Sequence, residues 1–290
     1  MKKSKNIRSN SLVNAMSVDV EEYFQVSAFE GHIDRKKWDE LPGRVENSID
    51  QILRLFSDHD VKATFFTLGW IAERHPEMIR RIVDEGHELA SHGWSHVRVA
   101  DQNENEFRND VVRTQRLLED VSGEKIKGYR AASYSIGASN LWALDVLEQL
   151  GYLYSSSIFP IKHDHYGMPE APRFSFHPTG GNLLEIPVTT VEIMGRKVPC
   201  GGGGWFRFFP YQLSSWAINR VNKTENRSAI FYFHPWEIDF NQPRQKGLDL
   251  KTRFRHYLNL QQMEQRLTRL MQDHKWGRMD EVFLGTKDDM

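Results

Sequence analysis

The sequence predicts an α/β fold built around a largely parallel sheet. Short apolar runs of strand length alternate with longer segments whose apolar residues recur at helical spacing, over residues 16–159 and again after residue 210. Strand, helix and strand in succession are typical of parallel βαβ units in a wound or closed sheet. With 290 residues, 39% of them hydrophobic, the chain also has enough apolar side chains for a sizeable core.

The first half of the chain carries this alternation most regularly. Residues 16–24 predict a buried strand that runs into a polar loop, and residues 45–60 predict a helix because apolar side chains recur at helical spacing. Pro76 and Gly86 mark the start and end of the next helix. The segments then follow in order: strand 62–69, helix 76–86, strand 87–93, helix 104–123, strand 126–133, helix 140–151 and strand 152–159.

The second half interrupts the alternation and then resumes it. Residues 160–209 are rich in Pro, Gly and His, and they predict a loop-rich insertion inside one domain that spans residues 16–290. A helix over residues 211–223, a strand within 228–239 and an amphipathic helix over 257–271 follow. No internal repeat or low-complexity linker marks a second domain.

Composition excludes several classes of function. The formal net charge of −1 gives no electrostatic reason to expect a nucleic-acid partner. Cys200 is the single cysteine, so no intramolecular disulfide is expected. No uncharged apolar run approaches the length of a membrane span, and the basic N-terminus has no apolar core of signal-peptide length. We therefore expect a cytoplasmic protein with a disordered leader over residues 1–15; a homo-oligomer stays open.

Unusual polar residues follow several of the predicted strands. "SHGWSH" at residues 91–96 places His92 and His96 four residues apart after a strand, and "SVDVEE" places acids after the first strand. Two other strands lead into "YRAASY", with Arg130, and "HPWE", with His234. In parallel α/β folds the loops after the strands form the active site, so these groups are expected to converge. The plain alternative for each is a hydrogen-bonded or solvated loop residue.

Taken in this order, the four motifs resemble those of the polysaccharide deacetylases, carbohydrate esterase family 4, with the NodB homology domain. "SVDVEEYFQV", "GGGGWFRFFPY" and "FYFHPWEID" are similar to a bacterial subgroup associated with exopolysaccharide gene clusters. The resemblance covers roughly residues 16–240. It implies a distorted (β/α) barrel of the NodB type, with about seven strands, and a metal-dependent N-deacetylase.

The resemblance also implies a role for each motif residue. Hydrolysis of an N-acetyl group needs an activated water, stabilisation of the oxyanion and a proton for the departing amine. The implied roles are Asp19 as general base, Arg130 as its partner, His234 as general acid, Tyr134 as the source of a backbone N–H for the oxyanion, and Glu21, His92 and His96 as metal ligands. Residues 19 and 21 point to the same side of a strand, which favours Glu21 as the carboxylate ligand, but Glu22 stays open. Zn²⁺ is the expected metal, with Co²⁺, Ni²⁺ and Fe²⁺ as alternatives.

One position departs from the family pattern. Relatives carry an Asp after the strand that matches "YLYSSS", where it tunes the catalytic His, whereas this chain has Ser155, Ser156 and Ser157. Asp164 and Asp239 are the candidates to replace that acid. The motif "KHDHYG" at residues 162–167 could hold a second metal, although a surface loop is the better interpretation.

The expected substrate is an N-acetylated sugar of a bacterial surface polysaccharide or exopolysaccharide, or its lipid-linked glycan precursor. Trp205, Arg207 and Trp236 are the expected substrate contacts, with apolar packing as the alternative for Trp205. Two other functions stay open. One is a small-molecule amidase of the same fold, like the allantoinases; the other is a non-catalytic glycan-binding protein, suggested by the missing acid at Ser155.

Overall fold

The computed structural model describes residues 12–163, 167–178 and 180–285. Within these ranges the chain folds as the alternation predicts, with strands and helices in turn. The strands are β1 Val13–Val20, β2 Thr64–Thr67, β3 Glu88–Ser91, β4 Gly128–Tyr129, β5 Tyr154–Ser155, β6 Leu184–Glu185, β7 Thr190–Ile193, β8 Arg196–Pro199, β9 Ile230–Phe233 and β10 Lys275–Gly277. The helices are α1 Val45–Asp58, α2 Gly69–Arg74, α3 Pro76–Asp84, α4 Glu104–Ser122, α5 Trp142–Gln149, α6 Gly203–Phe208, α7 Tyr211–Lys223, α8 Leu250–Tyr257, α9 Met263–Asp273 and α10 Met279–Leu284.

The main sheet is parallel and winds around β1. Its strands lie in the order β9-β1-β2-β3-β4-β5-β6, and β10 pairs in parallel with the first residues of β1. Only the small hairpin of β7 and β8 is antiparallel among the described strand pairs. Seven curled parallel strands with helices between them form the predicted distorted (β/α) barrel.

A glycine segment completes the curled sheet between its two ends. Thr189, just after β6, accepts hydrogen bonds at its carbonyl from the N–H groups of Cys200 and Gly201, at 3.3 and 3.2 Å. The carbonyl of Gly201 in turn accepts from the N–H of Tyr232 in β9, at 2.8 Å. A side chain at Gly201 would approach the Ile230 carbonyl to 2.4 Å, so this close passage needs glycine.

The core lies between the sheet and the helices. Ile49, Ile52 and Phe56 are fully buried on α1, as the helical spacing predicted, and they join one continuous apolar cluster with Phe65 of β2 and Phe233 of β9. The aromatic rings pack edge to face, with the centroids of Phe56 and Phe233 6.2 Å apart. The core therefore fixes the strands whose carboxyl ends carry the unusual polar residues.

The predicted boundary between the leader and the domain is wrong. The leader was expected to extend to residue 15, but Val13, Asn14 and Ala15 belong to β1, where they pair with β10 and where the Asn14 side chain is buried. Residues 1–11 lie outside the described residues. The expected loop-rich insertion at 160–209 also contains β6, the β7–β8 hairpin and α6. The sequence did not reveal these strands because they are too short to show a periodicity.

The last predicted helix also begins later than expected. Residues 257–262 form the end of α8 and a short 3₁₀ turn, and the regular helix α9 starts at Met263. Asn259 lies between them in the left-handed region, with φ of 52°, which breaks the helical pattern that the sequence suggested. Within the described ranges, no helix is both long and apolar enough to span a bilayer.

Candidate active site

The carboxyl ends of four parallel strands bring the predicted polar residues together. Asp19 is the seventh residue of the eight in β1, and His92 directly follows β3. Arg130 directly follows β4, and His234 directly follows β9. Because parallel strands end at one edge of the sheet, the four side chains come together there, as the sequence predicted, and Asp19, His92 and His234 line one cavity.

Asp19 and Arg130 form a buried ion pair. Asp19 Oδ1 lies 2.6 Å from a terminal guanidinium nitrogen of Arg130, and the two side chains are 2% and 0% exposed. The guanidinium also donates to Ser17 Oγ, at 2.9 Å, and to the Ser156 carbonyl, at 3.2 Å. Arg130 thus holds one oxygen of Asp19 and leaves Oδ2 directed at His234 Nε2, 4.0 Å away.

The histidine pair lies in a tight loop rather than a helix. Gly93 and His96 both have positive φ, 75° and 56°, so the chain turns sharply between the two imidazoles. The N–H groups of Gly69 and Trp70 at the start of α2 donate to the carbonyls of Gly93 and Trp94, each at 2.9 Å. The Trp94 ring lies against Gly69, where any Cβ would meet it at 2.4 Å. Glycine at position 69 therefore allows the tryptophan to fix the loop.

Glu21, His92 and His96 converge as a candidate metal centre. One ligand atom from each of the three buried side chains lies within 4.8 Å of the others. His92 Nδ1 contacts the Arg130 carbonyl at 2.8 Å, and because a carbonyl only accepts, Nδ1 carries the proton and Nε2 keeps its lone pair. Burial lowers the pKa of both histidines, which favours the neutral imidazoles that ligate metals.

Two atoms at this centre have no hydrogen-bond partner among the described residues. These are Glu21 Oε2 and His96 Nδ1, although Oε2 lies 3.0 Å from His96 Nε2. The geometry between these two side chains is thus not that of a hydrogen bond. Burial raises the pKa of Glu21 to about 7, against the charge of His234 and a hydrogen bond from Trp236. A donor set of one carboxylate and two neutral imidazoles fits a divalent cation.

The structure separates the roles of the two neighbouring glutamates. Glu22 Oε1 accepts hydrogen bonds from the N–H groups of Arg44 and Val45, at 2.7 and 3.0 Å. These N–H groups lie at the start of α1, so the Glu22 side chain caps that helix although it is distant from it in the sequence. Glu21 alone of the two joins the histidines, in agreement with the strand alternation.

His234 is held by a carboxylate three residues further along the chain. His234 Nδ1 lies 3.0 Å from Glu237 Oε2, and the His234 N–H donates to the same oxygen at 2.9 Å. Glu237 Oε1 accepts from Arg207 Nε at 2.8 Å, and both of these side chains are almost fully buried. Burial alone would lower the pKa of His234, but the charges of Glu21, Glu237 and Asp19 outweigh it and raise the pKa to about 9.

Glu237 was not predicted as a site residue, although it ends the quoted motif "HPWE". Burial would raise its pKa, but the charges of Arg207 and His234 lower it to about 2, so the carboxylate stays ionised. Gly203 lies directly against it, because a Cβ at that position would meet Glu237 Oε2 at 2.1 Å. The glycine run before Trp205 therefore gives room for this carboxylate. A signal was available in the acid spaced three residues from the histidine.

Of the two acids expected to support His234, only Asp239 lies among the described residues. Asp239 pairs with Arg44, so its candidacy was wrong; Asp164 lies outside the described residues, as do the next two residues of the "KHDHYG" motif. Ser155 is buried, and its hydroxyl bonds Ser157 Oγ at 2.8 Å beside Glu185. Glu237 therefore occupies the place beside His234 that the serines left open.

Tyr134 lines the cavity, but not in the predicted way. Its N–H donates to the Ala131 carbonyl at 3.0 Å, so the expectation that this N–H faces an oxyanion was wrong. Ser133 and Tyr134 both lie in the left-handed region, with φ of 54° and 50°. Such strained non-glycine residues cluster at functional sites, and His96 is another at this one.

The three predicted substrate contacts all line a cavity of about 550 Å³, a size typical of ligand sites. Trp205 is half-buried and stacks on Phe209 with 5.7 Å between ring centroids. Trp236 is buried, stacks between His234 and His256, and donates from Nε1 to Glu21 Oε1 at 3.1 Å. Arg207 is engaged with Glu237 and with two backbone carbonyls, so its contacts are with the protein.

Comparison with known families accounts for this arrangement. A family model described as polysaccharide deacetylase matches residues 37–155, the segment with His92, His96 and Arg130. The chain carries a polysaccharide deacetylase domain. A second model, described only as a domain of unknown function (DUF3473), matches residues 156–284. Strands from both segments build the same sheet of the deacetylase fold.

Individual relatives are similar to limited parts of this chain. A peptidoglycan-N-acetylglucosamine deacetylase of Bacillus cereus is 38% identical over 96 residues, 33% of this chain and 35% of that protein. A chitooligosaccharide deacetylase of a Bradyrhizobium species is 32% identical over 96 residues, 33% of this chain and 42% of that protein. The chain thus spans about a third of the length of the first of these relatives.

A solved structure extends the likeness in fold to nearly the whole chain. A candidate polysaccharide deacetylase from Mycobacterium smegmatis superposes with a TM-score of 0.63 at 18% identity, covering 96% of this chain and 91% of that one. At this identity the likeness concerns the fold alone. The site of this chain draws on three parts: Asp19 and Glu21 precede the first matched segment, and His234 and Glu237 lie in the segment of unknown function.

Proposed function

We propose that this protein is a metal-dependent N-deacetylase that removes acetyl groups from an N-acetylated sugar of a glycan. The observation that carries the proposal is the convergence of an Arg-held carboxylate, a two-histidine and one-carboxylate centre and a carboxylate-held histidine around one cavity. The named activities of the curated relatives support the same class of reaction.

The residues divide the hydrolysis of the amide between them. Asp19 accepts a proton from the attacking water at Oδ2, the oxygen that Arg130 does not hold. His234 then gives a proton from Nε2 to the amide nitrogen as the carbon–nitrogen bond breaks, which releases acetate and a free amine. Glu237 keeps the other ring nitrogen protonated and orients the imidazole.

The metal centre supplies the remaining chemistry. Glu21, His92 and His96 would hold a divalent cation, which lowers the pKa of a bound water and polarises the amide carbonyl. Zn²⁺ fits this donor set best, and Co²⁺, Ni²⁺ and Fe²⁺ also accept imidazole and carboxylate ligands. Glu21 Oε2 and His96 Nδ1 are buried and have no hydrogen-bond partner among the described residues, which supports the assignment of a cation to this centre.

The finer substrate of the proposal is a bacterial surface or exported polysaccharide, or its lipid-linked precursor. The cytoplasmic location and the homo-oligomer stay predictions. A non-catalytic glycan-binding role is disfavoured because the residues proposed as base, acid and metal ligands converge on one cavity. An allantoinase-like amidase without a metal is disfavoured by the intact Glu21, His92 and His96 set.

Acetate release tests the proposal. The purified protein, loaded with Zn²⁺, is incubated with N-acetylated chitooligosaccharides and with peptidoglycan fragments, and acetate is measured by a coupled assay. We expect release from at least one of them, and loss of release in the His92→Ala, His96→Ala double variant. A folded, metal-loaded protein that releases no acetate from any N-acetylated glycan would overturn it, as would full activity in the double variant.

A further inference from the structure

The outer part of the active-site cavity is lined by exposed cations, whereas the acids that line the cavity are buried. The acidic residues that line the cavity, Asp19, Glu21 and Glu237, are all buried among the catalytic groups. Lys251 and Arg255, on helix α8, line the outer part and are exposed to solvent. A ligand that extends out of the cavity therefore meets cations before it meets any acid of the floor.

These two cations have no ion-pair partner within the described part of the chain. Arg98, a third cation of the cavity wall, is different because it pairs with Glu30 at 3.1 Å. Asp249 is the acid nearest in sequence, but its carboxylate accepts from the N–H groups of Lys251 and Thr252 and so caps α8. The side-chain charges of Lys251 and Arg255 are thus available to a bound anion.

Two exposed aromatic rings lie among these cations. Phe208 at the end of α6 is 54% exposed, and Phe254 on α8 is 55% exposed; both line the cavity. Exposed rings of this size contact the apolar faces of ligands, and in the proposed reaction the ligand is a sugar. Lys251, Phe254 and Arg255 follow at helical spacing of three and four, so they lie on neighbouring positions of one helix surface.

We propose that this rim, formed by Phe208, Lys251, Phe254 and Arg255, binds a negatively charged group adjacent to the N-acetylated sugar. The proposal rests on the proposed deacetylase function and narrows its substrate to an acidic glycan. The anion is either a carboxylate of a neighbouring sugar acid or a phosphate attached to the sugar, since both accept hydrogen bonds from Arg and Lys. Neutral chitin-like chains lack such a group.

The test compares substrates that differ in charge. Acetate release is measured with two pairs of substrates: N-acetylchitotetraose against a tetrasaccharide of alternating glucuronic acid and N-acetylglucosamine, and N-acetylglucosamine against N-acetylglucosamine 1-phosphate. We expect kcat/KM to be at least about tenfold higher for one of the anionic substrates, relative to its neutral counterpart, at low salt. The anionic substrate that gains identifies a sugar acid or a phosphate as the group bound.

A matched pair of variants tests the rim itself. Lys251→Gln combined with Arg255→Gln should lower kcat/KM for the anionic substrate by about tenfold and leave the neutral one within about twofold. Arg253→Gln is the control, because Arg253 lies on the same helix and is exposed but does not line the cavity. The control should match the wild type. Equal losses on both substrates, or equal losses in both variants, would overturn the proposal.

Binding separates this proposal from the deacetylase function. Calorimetric titration of the metal-loaded protein with the acidic and neutral tetrasaccharides, and with N-acetylglucosamine 1-phosphate and N-acetylglucosamine, needs no turnover. If no substrate releases acetate but the acidic one binds more tightly and loses this advantage in the double variant, the rim proposal stands and the proposed activity fails. If acetate is released while neither the acidic tetrasaccharide nor N-acetylglucosamine 1-phosphate binds more tightly than its neutral counterpart, the rim proposal fails and the activity stands.

Discussion

The Nδ1 atom of His234 lies 3.0 Å from Oε2 of Glu237, and the same carboxylate holds Arg207 through its other oxygen. Because a carboxylate only accepts, Nδ1 is the protonated nitrogen and Nε2 is the atom that faces the cavity. Nε2 lies 3.7 Å from Glu21 and 4.0 Å from Asp19. A single buried glutamate thus fixes both the orientation and the charge of the histidine that the proposed reaction uses as its acid.

Replacing Glu237 by Gln tests this relationship. The amide oxygen can still accept from Nδ1, but the negative charge that helps to raise the pKa of His234 is gone. The pKa of His234 should fall, so the alkaline limb of the kcat–pH profile should move to lower pH, and turnover near pH 8 should drop about tenfold or more. A cation bound by Glu21 lowers the pKa in wild type and variant alike, so the difference between them remains.

Asp239→Asn is the matched control for this prediction. Asp239 lies two residues from Glu237, but its carboxylate pairs with Arg44 instead of the histidine. Its pH profile should overlay that of the wild type. An unshifted alkaline limb in Glu237→Gln, with metal content unchanged, would mean that Glu237 does not tune His234.

Two adjacent acids should give opposite phenotypes. Glu21→Gln should reduce metal content, measured by mass spectrometry after gel filtration, because it removes the only carboxylate of the metal centre. Glu22→Gln should keep the metal but destabilise the fold by about 1 kcal/mol, since it weakens the cap on the N–H groups of Arg44 and Val45. Urea unfolding checks the second effect. Metal loss in Glu22→Gln with metal retained in Glu21→Gln would reverse the assignment.

Much of this site follows from the sequence because parallel strands end at one edge. Asp19 is the penultimate residue of its strand, and His92, Arg130 and His234 each directly follow one, so their convergence depended only on recognising the strands. The strand alternation also favoured Glu21 over Glu22, and Glu21 is the one that lies with the two histidines in the candidate metal centre. These predictions needed no knowledge of how the loops fold.

The features that the sequence did not reveal depend on loop conformation and on close packing. Glu237 reaches back to His234 only because residues 235–237 form a 3₁₀ turn, which a motif of four residues does not specify. Arg207 was expected at the substrate because it follows a glycine run, but Gly203 lies against Glu237, so this run seats Arg207 beside that carboxylate. Similarly, the N–H of Tyr134 turns to Ala131 because two successive residues adopt positive φ.

Asp19→Asn should separate catalysis from metal binding. Asp19 touches Arg130 and faces His234 but is not among the three ligand residues, so the variant should keep its metal. Its turnover should fall by about a hundredfold or more, because an amide cannot accept the proton of the attacking water. Acetate release and metal analysis of one preparation measure both properties.

Ser17→Ala provides the comparison for Asp19. Ser17 Oγ accepts from the same guanidinium nitrogen of Arg130, at 2.9 Å. Ser17 lies two residues before Asp19 on the same face of β1, further from the reacting groups. Its loss should leave turnover within a few-fold of the wild type. A Ser17→Ala protein as inactive as Asp19→Asn would show that the position of Arg130, rather than the carboxylate, limits the reaction.

Acid should destabilise the fold through His87, at the start of the strand that leads to the metal centre. The Ala63 N–H donates to His87 Nδ1 at 3.1 Å, and burial, with the charges of Lys62 and Arg278, lowers the pKa of His87 from 6.5 to about 4. Between these two values the unfolded chain binds a proton that the folded chain does not, so stability falls as the pH falls from 6.5 to 4. The free energy of unfolding that is lost through this residue reaches about 3 kcal/mol.

His87→Asn tests this source of acid sensitivity. The asparagine keeps an acceptor for the Ala63 N–H but does not titrate. The unfolding free energy of the variant, measured in urea from pH 7 to pH 4, should therefore fall less steeply than that of the wild type. Parallel pH dependences for the two proteins would show that His87 is not a source of the acid sensitivity.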